Sequence, residues 1–173
     1  LAGEGTRRTF AVLMETKAGD PGAFAHFDLH RVPSPAFVVD EMAIRRNLAI
    51  LADVKARSGA KILAAMKAFS MWELAPVIAE YLDGVCTSGL WEARLASEKY
   101  RGEIATYCAG YKEADMAEIV DISDHVIFNS SNQHRRFASF LNDSTDVGLR
   151  INPEHAEGEV AKVICVAREI QER

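Results

Sequence analysis

Short apolar runs alternate with longer amphipathic stretches along most of the chain. Runs of about five residues predict strands, and stretches of about ten residues or more predict helices. The predicted strands are residues 36–40, 61–67, 84–88, 103–108, 125–129 and 147–152. The predicted helices are residues 41–58, 71–82, 90–100, 113–122 and 133–141. Such alternation is typical of βα units joined by right-handed crossovers around a parallel sheet.

The number of consecutive βα units favours a (β/α)8 TIM-type barrel over a doubly wound sheet. The first turn also lacks G-x-G-x-x-G, which weakens the dinucleotide-binding alternative. A complete barrel needs about 250 residues, whereas this chain has 173. We therefore expect an α/β fold with a barrel truncated to about six strands. The predicted organisation is an N-terminal extension (1–32), a partial barrel (33–155) and a helical tail (156–173).

One predicted strand, residues 61–67, ends in a lysine. An ammonium group without a partner is costly to bury, and chemistry in barrels takes place at the carboxyl ends of the strands. Lysine also forms Schiff bases, including the one with pyridoxal phosphate. Lys67 is therefore either a reactive amine or a side chain that extends from the sheet to water. Ser70 and Glu73 have capping-box spacing and predict that a helix begins directly afterwards.

The other predicted strand ends supply hydroxyls, amides and one arginine. They include Thr87, Ser88, Tyr107, Asn129, Ser130, Arg150 and Asn152. With the lysine, this set suits a phosphorylated aldehyde cofactor, because hydroxyls and arginine can bind its ring and phosphate. Structural interpretations remain open: Ser88 caps a helix, Tyr107 packs inside the barrel, and Arg150 pairs with another group.

Composition narrows the function classes. Apolar residues make up 49% of the chain and charged residues 26%, as in ordinary globular proteins. The net charge of −5 offers no basic surface for nucleic acid or an anionic membrane, and no apolar run is long enough to span a bilayer. The three cysteines lack C-x-x-C spacing, which predicts a reducing cytoplasm without disulfides or zinc. No metal site is expected, and His134 and His155 are expected to be exposed.

Several segments, taken in order, resemble the fold-type III, alanine-racemase-like family of pyridoxal phosphate enzymes. They are Pro35–Asp40, Ala65–Phe69, Ser88–Arg94, Phe128–Ser130 and Gly148–Pro153. Within this family, Met66–Trp72 and Asp124–Ser130 are most similar to the decarboxylases of carboxynorspermidine and carboxyspermidine. The diaminopimelate decarboxylases share the Arg-Ile-Asn-Pro element but look less similar elsewhere. The resemblance covers roughly residues 30–155.

This resemblance implies that Lys67 forms the internal aldimine with pyridoxal 5'-phosphate, that Arg150 lies near the cofactor ring and that Ser88 lies close to the cofactor. It implies a barrel followed by a β-domain, in a homodimer whose interface forms the active site. The implied reaction is loss of the α-carboxylate from carboxynorspermidine or carboxyspermidine, giving norspermidine or spermidine in polyamine biosynthesis. The substrate amine displaces Lys67, CO2 leaves, and the ring accepts the electrons.

Other parts of the family pattern have no counterpart in this sequence. These are the histidine stacked on the ring, the glycine-rich phosphate loop, the acidic partner of the pyridine nitrogen and a cysteine supplied by the second subunit. The sequence after Pro153 cannot be matched to the family. Two alternatives therefore stay open: a diaminopimelate decarboxylase-like enzyme, and a non-catalytic, truncated barrel. A barrel with two unpaired edges is also expected to be only marginally stable alone.

Overall fold

Parallel strands form one sheet in the computed structural model, which describes residues 22–151. The strands are β1 (Leu63–Ala65), β2 (Gly84–Thr87), β3 (Glu103–Cys108), β4 (His125–Phe128) and β5 (Asp146–Leu149). The α-helices are α1 (Glu41–Ser58), α2 (Ala75–Ala79), α3 (Leu90–Lys99), α4 (Glu113–Ile122) and α5 (Ser131–Phe137). Short 3-10 turns occupy Gly22–Phe24, Leu29–Arg31, Trp72–Leu74 and Ala138–Phe140.

The strand order distinguishes the two predicted architectures. The sheet runs β1-β2-β3-β4-β5, and every neighbouring pair is parallel. A doubly wound sheet reverses its strand order at a switch point, and this sheet does not. Right-handed crossovers between successive neighbours bring the helices to one face, which leaves the other face to line a barrel interior. The prediction of a truncated α/β barrel is confirmed.

Alternation along the strands separates the two faces. Val126 and Phe128 of β4 are fully buried toward the helices, where they pack with Met116 and Ile119 of α4. His125 of the same strand is only partly buried, because successive side chains point to opposite faces. The helix-facing side of β4 therefore contributes to the apolar core, and its other side carries His125.

Aspartates fix the register at the amino ends of the strands. The Asp83 carboxylate accepts a hydrogen bond from the Ile62 amide at 2.9 Å, and the Asp124 carboxylate accepts one from the Ile104 amide at 2.8 Å. The Asp83 and Asp124 amides donate to the Ile62 and Ile104 carbonyls, each at 2.9 Å. Each aspartate thus binds the N–H and the C=O of one residue at the start of the preceding strand. These bonds oppose a shift of the strand pairing by one residue.

Two predicted elements are wrong. Residues 36–40 form no strand in the structure, because an apolar run becomes a strand only when a neighbour pairs with its backbone. The predicted helix 71–82 is a 3-10 turn followed by α2, and the Ser70 capping box is absent: Met71 precedes the turn and no side chain caps it. Pro76 lies in the first turn of α2, where its missing N–H is tolerated, so the α-helix begins only at Ala75.

The described residues fall into two compact units that divide after Ala43. In the first unit, the Phe24 and Phe27 rings pack edge to face with centroids 6.3 Å apart. The second unit contains the sheet. The predicted domain boundaries at residues 32 and 155 stay predictions, and the tail 156–173 lies outside the described residues. No helix in the described part of the chain is both long enough and apolar enough to cross a membrane.

Candidate active site

The carboxyl edge of the sheet collects the predicted site residues from all five strands. Tyr107 pairs in register with Ile127, and Ile127 pairs with Gly148. Asn129 and Arg150 each follow these partners by two positions, and Lys67 and Ser88 likewise follow the paired residues Ala65 and Cys86. Parallel strands that are in register end at one edge. This edge is where barrel enzymes place their active sites.

Lys67 lies in a tight turn directly after β1. The Ala68 and Phe69 amides both donate to the Ala65 carbonyl, at 3.0 and 3.2 Å. The neighbouring Met66 is 2% exposed and anchors the turn, whereas Lys67 is exposed. Within residues 22–151, no group forms a hydrogen bond or salt bridge with the Lys67 amine. The position at a strand end is as predicted, but the argument from costly burial is wrong, because the Lys67 side chain is exposed.

Cys86 is a neighbour of Lys67 that sequence reasoning did not select. The Met66 amide donates to the Cys86 carbonyl at 3.0 Å, which brings the two strands together at this point. Burial raises the pKa of the Cys86 thiol, and the positive charge of Lys67 partly opposes that increase. The lysine charge therefore reaches into the polar face of the sheet. The alternation of β2 was the available signal, since Cys86 shares a face with Ser88.

Arg150, Tyr107 and Asn129 form a hydrogen-bonded chain across β3, β4 and β5. Arg150 Nη1 donates to the Tyr107 hydroxyl oxygen at 2.6 Å, and that hydroxyl donates to Asn129 Oδ1 at 2.7 Å. The Arg150 guanidinium carbon also lies 5.4 Å from the centroid of the Tyr107 ring, within the range of a cation–π contact. The expected partner of the arginine is therefore a neutral phenol, and its charge remains unneutralised by this contact.

Gln133 connects this chain to the neighbouring loops. Its side-chain oxygen accepts from the Asn129 amide at 2.7 Å, and its side-chain nitrogen donates to the Ala109 carbonyl at 3.2 Å. Ser130 caps α5, because its hydroxyl accepts a hydrogen bond from the Gln133 backbone amide at 3.2 Å. Sequence reasoning missed Gln133, although Ser130-x-x-Gln133 is a capping-box pattern that could have identified it.

Ser88 does not cap α3. Gly89 precedes that helix without a side-chain cap, and the Ser88 backbone amide instead donates to Glu92 Oε2 at 2.8 Å. Its side chain is exposed at the same edge as Lys67. The capping interpretation is therefore wrong, and no described residue forms a hydrogen bond with the Ser88 hydroxyl.

Two histidines, His134 and His155, are expected from the sequence to be exposed. His134 is 3% exposed and packs against Phe128 with ring centroids 5.4 Å apart. The expectation of an exposed His134 is wrong, because this residue lies on the buried face of α5. His155 lies outside the described residues. Within the described part of the chain, no cluster of His, Cys, Asp and Glu could hold a metal ion.

Comparisons with known proteins agree with the resemblance seen in the sequence. The carboxynorspermidine/carboxyspermidine decarboxylase of Campylobacter jejuni is 40% identical over 124 residues, which are 72% of this chain and 32% of that protein. The enzyme of the same description from Herminiimonas arsenicoxydans is 36% identical over 122 residues, or 70% of this chain and 33% of that protein. The carboxyaminopropylagmatine decarboxylase of Synechocystis is 36% identical over 129 residues, or 74% of this chain and 33% of that protein.

A solved structure agrees with these relatives. The crystal structure of Campylobacter jejuni carboxynorspermidine decarboxylase complexed with norspermidine matches with a TM-score of 0.69 and 39% identity, over 72% of this chain and 34% of that one. No family model matches the chain. The predicted resemblance to carboxynorspermidine and carboxyspermidine decarboxylases is thus confirmed, and the chain spans about one third of the length of the curated relatives that it matches.

Proposed function

We propose that this chain carries the reactive lysine of a pyridoxal phosphate-dependent decarboxylase of carboxylated polyamines. It is homologous to about one third of the length of the carboxynorspermidine and carboxyspermidine decarboxylases. The observation that carries the proposal is the position of Lys67. Its amine is exposed at the carboxyl edge of the sheet, and no described residue forms a hydrogen bond or ion pair with it. A structural lysine is usually paired or spread along the surface, whereas a reactive amine must stay accessible.

The donor set at this edge fits pyridoxal phosphate. An amine is needed to hold the aldehyde, and Lys67 provides one. Ser88 offers an exposed hydroxyl that does not cap α3. Arg150 offers a guanidinium that, among the described residues, contacts the Tyr107 phenol alone. When bound, the cofactor supplies an electron sink for the pair left by a departing carboxylate.

The residues of this chain then divide the remaining work. Lys67 holds the cofactor before the substrate enters and accepts or returns a proton at its amine. Arg150 carries a permanent charge on a planar group with several donors, which stabilises negative charge that develops beside it. Ser88 orients the cofactor through its hydroxyl.

The substrate proposed is an α-amino acid whose side chain is a polyamine. The curated relatives are named for carboxynorspermidine, carboxyspermidine and carboxyaminopropylagmatine, and the matching crystal structure contains norspermidine. Loss of the α-carboxylate from the first two gives norspermidine and spermidine. For the whole protein we propose a homodimer and a cytoplasmic location, in line with the free Cys86 and Cys108 thiols.

The test of the site is reductive trapping. The purified chain is mixed with pyridoxal phosphate, reduced with borohydride and mapped by mass spectrometry. We expect the label on Lys67 and an unlabelled Lys112, which is equally exposed but lies at the start of α4. Equal labelling of both lysines would contradict the proposal, because it would indicate unselective modification of surface amines.

A substrate panel separates the alternatives. CO2 release from carboxynorspermidine or carboxyspermidine, but not from diaminopimelate, is the expected result for the protein in which this chain occurs. Preference for diaminopimelate would favour the diaminopimelate decarboxylase-like enzyme. Trapping at Lys67 without CO2 release from any of these amino acids would favour the non-catalytic barrel.

A further inference from the structure

We propose that Tyr107 is a positioning residue, whose hydroxyl holds the Arg150 guanidinium in one orientation at the carboxyl edge of the sheet. The importance of this for catalysis rests on the proposed function, but the geometry does not. Arg150 is 43 residues away in sequence and two strands away in the sheet, yet its Nη1 lies 2.6 Å from the Tyr107 hydroxyl. This is the short distance expected for a charge-assisted hydrogen bond.

The proton of the phenol has a defined place in this arrangement. A guanidinium can only donate, so the Tyr107 oxygen must accept from Arg150 and give its own proton to another group. Asn129 Oδ1, at 2.7 Å, takes that proton. The amide of Asn129 therefore orients the phenol, and the phenol orients the guanidinium.

At its Asn129 end, this series of hydrogen bonds continues through Gln133 to backbone groups. The backbone N–H of Asn129 donates to Gln133 Oε1, and Gln133 Nε2 donates to the Ala109 carbonyl. Gln133 itself is fixed at the first turn of α5 by the Ser130 cap. The loop after β4 is thus connected to the loop after β3, and Tyr107 extends this connection to the residue that follows β5. A guanidinium supported in this way loses little further freedom when a ligand binds.

The ring of Tyr107 makes a second contact with the same cation. The guanidinium carbon lies 5.4 Å from the ring centroid, so the side chain constrains Arg150 by its face as well as by its hydroxyl. Only one of the five guanidinium donors is used by a described residue. The others stay available for an anionic or polar ligand at the edge.

Tyr111 provides a matched comparison. Its hydroxyl oxygen lies 2.8 Å from the Thr106 carbonyl oxygen and 3.1 Å from the Ile127 carbonyl oxygen, which share its single proton. Its ring packs against Phe128 in the core. This tyrosine binds backbone inside the fold, whereas Tyr107 binds two side chains at the edge. Tyr107→Phe and Tyr111→Phe each remove one phenolic hydroxyl and keep the ring. Only Tyr107→Phe is expected to change the orientation of the Arg150 guanidinium.

The first experiment needs no cofactor. Guanidinium NMR of the arginine-labelled chain is compared for the unmodified protein, Tyr107→Phe and Tyr111→Phe. We expect hindered rotation of the Arg150 guanidinium in the unmodified chain and in Tyr111→Phe. In Tyr107→Phe its signals should approach those of Arg101, which is exposed and has no hydrogen bond or ion pair with a described residue. Asn129→Ala should produce a smaller change in the same direction. Unchanged Arg150 signals in Tyr107→Phe, or an equal change in Tyr111→Phe, would overturn the proposal.

The second experiment measures coupling. Pyridoxamine phosphate carries an amine in place of the aldehyde, so its affinity reports contacts other than the bond to Lys67. We expect Tyr107→Phe to weaken its binding roughly tenfold, Arg150→Ala to weaken it at least as much, and the double variant to bind as Arg150→Ala does. Additive losses would show that Tyr107 does not act through Arg150.

The two experiments separate the two ideas. If the unmodified chain neither binds pyridoxamine phosphate nor traps pyridoxal phosphate on Lys67, the proposed function fails. The guanidinium spectra still decide whether Tyr107 holds Arg150. If trapping succeeds and the spectra do not change, the proposed function stands and the role of Tyr107 is refuted.

Discussion

Charged side chains form ion pairs at the amino end of the sheet, whereas Lys67 and Arg150 at its carboxyl end form none with a described residue. At the amino end, Lys61 pairs with Glu103, His125 Nε2 lies 3.2 Å from Glu103 Oε2, and His125 Nδ1 lies 3.4 Å from Asp146 Oδ2. Cation, anion, imidazole and anion thus follow one another across the strands. At the carboxyl end, the Lys67 amine has no such partner among the described residues, and Arg150 contacts only a neutral phenol with its guanidinium. The ion pairs at the first end connect neighbouring strands, whereas the second end keeps donors that no described residue uses.

Replacement of a lysine at each end should break this comparison most clearly. Lys67→Ala should abolish reductive trapping of pyridoxal phosphate and change the free energy of unfolding by no more than about 0.5 kcal/mol, as for an unpaired surface residue. Lys61→Ala should leave trapping intact and lower stability, because it removes the partner of Glu103. Borohydride mapping and urea unfolding of both variants measure the two effects. Trapping that persists in Lys67→Ala would show that the carboxyl end does not bind the cofactor through this lysine.

Two glycines test how tightly the strands pack at the start of β2 and inside β5. A Cβ on Gly84, at the start of β2, would lie 2.0 Å from the Glu103 carbonyl oxygen, whereas a Cβ on Gly148 of β5 would lie 2.9 Å from Ile127 Cγ1. Backbone cannot yield as a side chain can, so we expect Gly84→Ala to cost roughly 3 to 5 kcal/mol and Gly148→Ala roughly 1 kcal/mol. Urea unfolding measures both, and similar losses would contradict this explanation.

The acid dependence of stability should sharpen the contrast. The hydrogen bond from Lys61, followed by that from His125, lowers the pKa of Glu103 below its usual 4.5. A carboxylate with a lowered folded pKa stabilises the fold above the unfolded pKa, and this contribution is lost as pH falls through the folded value. Glu103→Gln should therefore be less stable than the unmodified chain near neutral pH, and the difference should shrink below about pH 4.5.

Unfolding by urea across this pH range gives the measurement. Glu98→Gln is the control, because Glu98 is exposed on α3 and forms no hydrogen bond or ion pair with a described residue. Its curve should parallel that of the unmodified chain. A difference for Glu103→Gln that stays constant into acid would indicate a loss of packing and not of charge pairing.

The predictability of the elements follows from how local their causes are. The bounds of α1, β3 and α4 match the sequence predictions, since their apolar periodicity and stop signals lie within the segments themselves. Residues 36–40 failed as a strand because a strand depends on a distant partner. The helix after β1 begins later than Ser70 and Glu73 predict, because Pro76 is tolerated only in the first turn of a helix and α2 starts at Ala75.

The strand-end positions of the candidate site residues could be predicted from the sequence, and the contacts among these residues could not. Strand-end positions and the family resemblance selected Lys67, Ser88 and Arg150 from the sequence. The contact between Arg150 and Tyr107 depends on the register of three strands, which local patterns do not specify. The proximity of Cys86 to Lys67 likewise depends on the pairing register of β1 with β2.

The smallest expected effect concerns that cysteine. Burial raises the pKa of the Cys86 thiol more than the Lys67 charge lowers it, so Lys67→Met should raise this pKa further and reduce the thiolate fraction at a given pH. Iodoacetamide should then alkylate Cys86 more slowly, by a severalfold change at most, while Cys108 in the same chain keeps its rate and serves as the internal control. Peptide mapping over time follows both thiols. An unchanged Cys86 rate would mean that the unpaired lysine charge lies too far from the polar face to influence a group bound there, and the carboxyl end would then differ from the amino end in charge pairing alone.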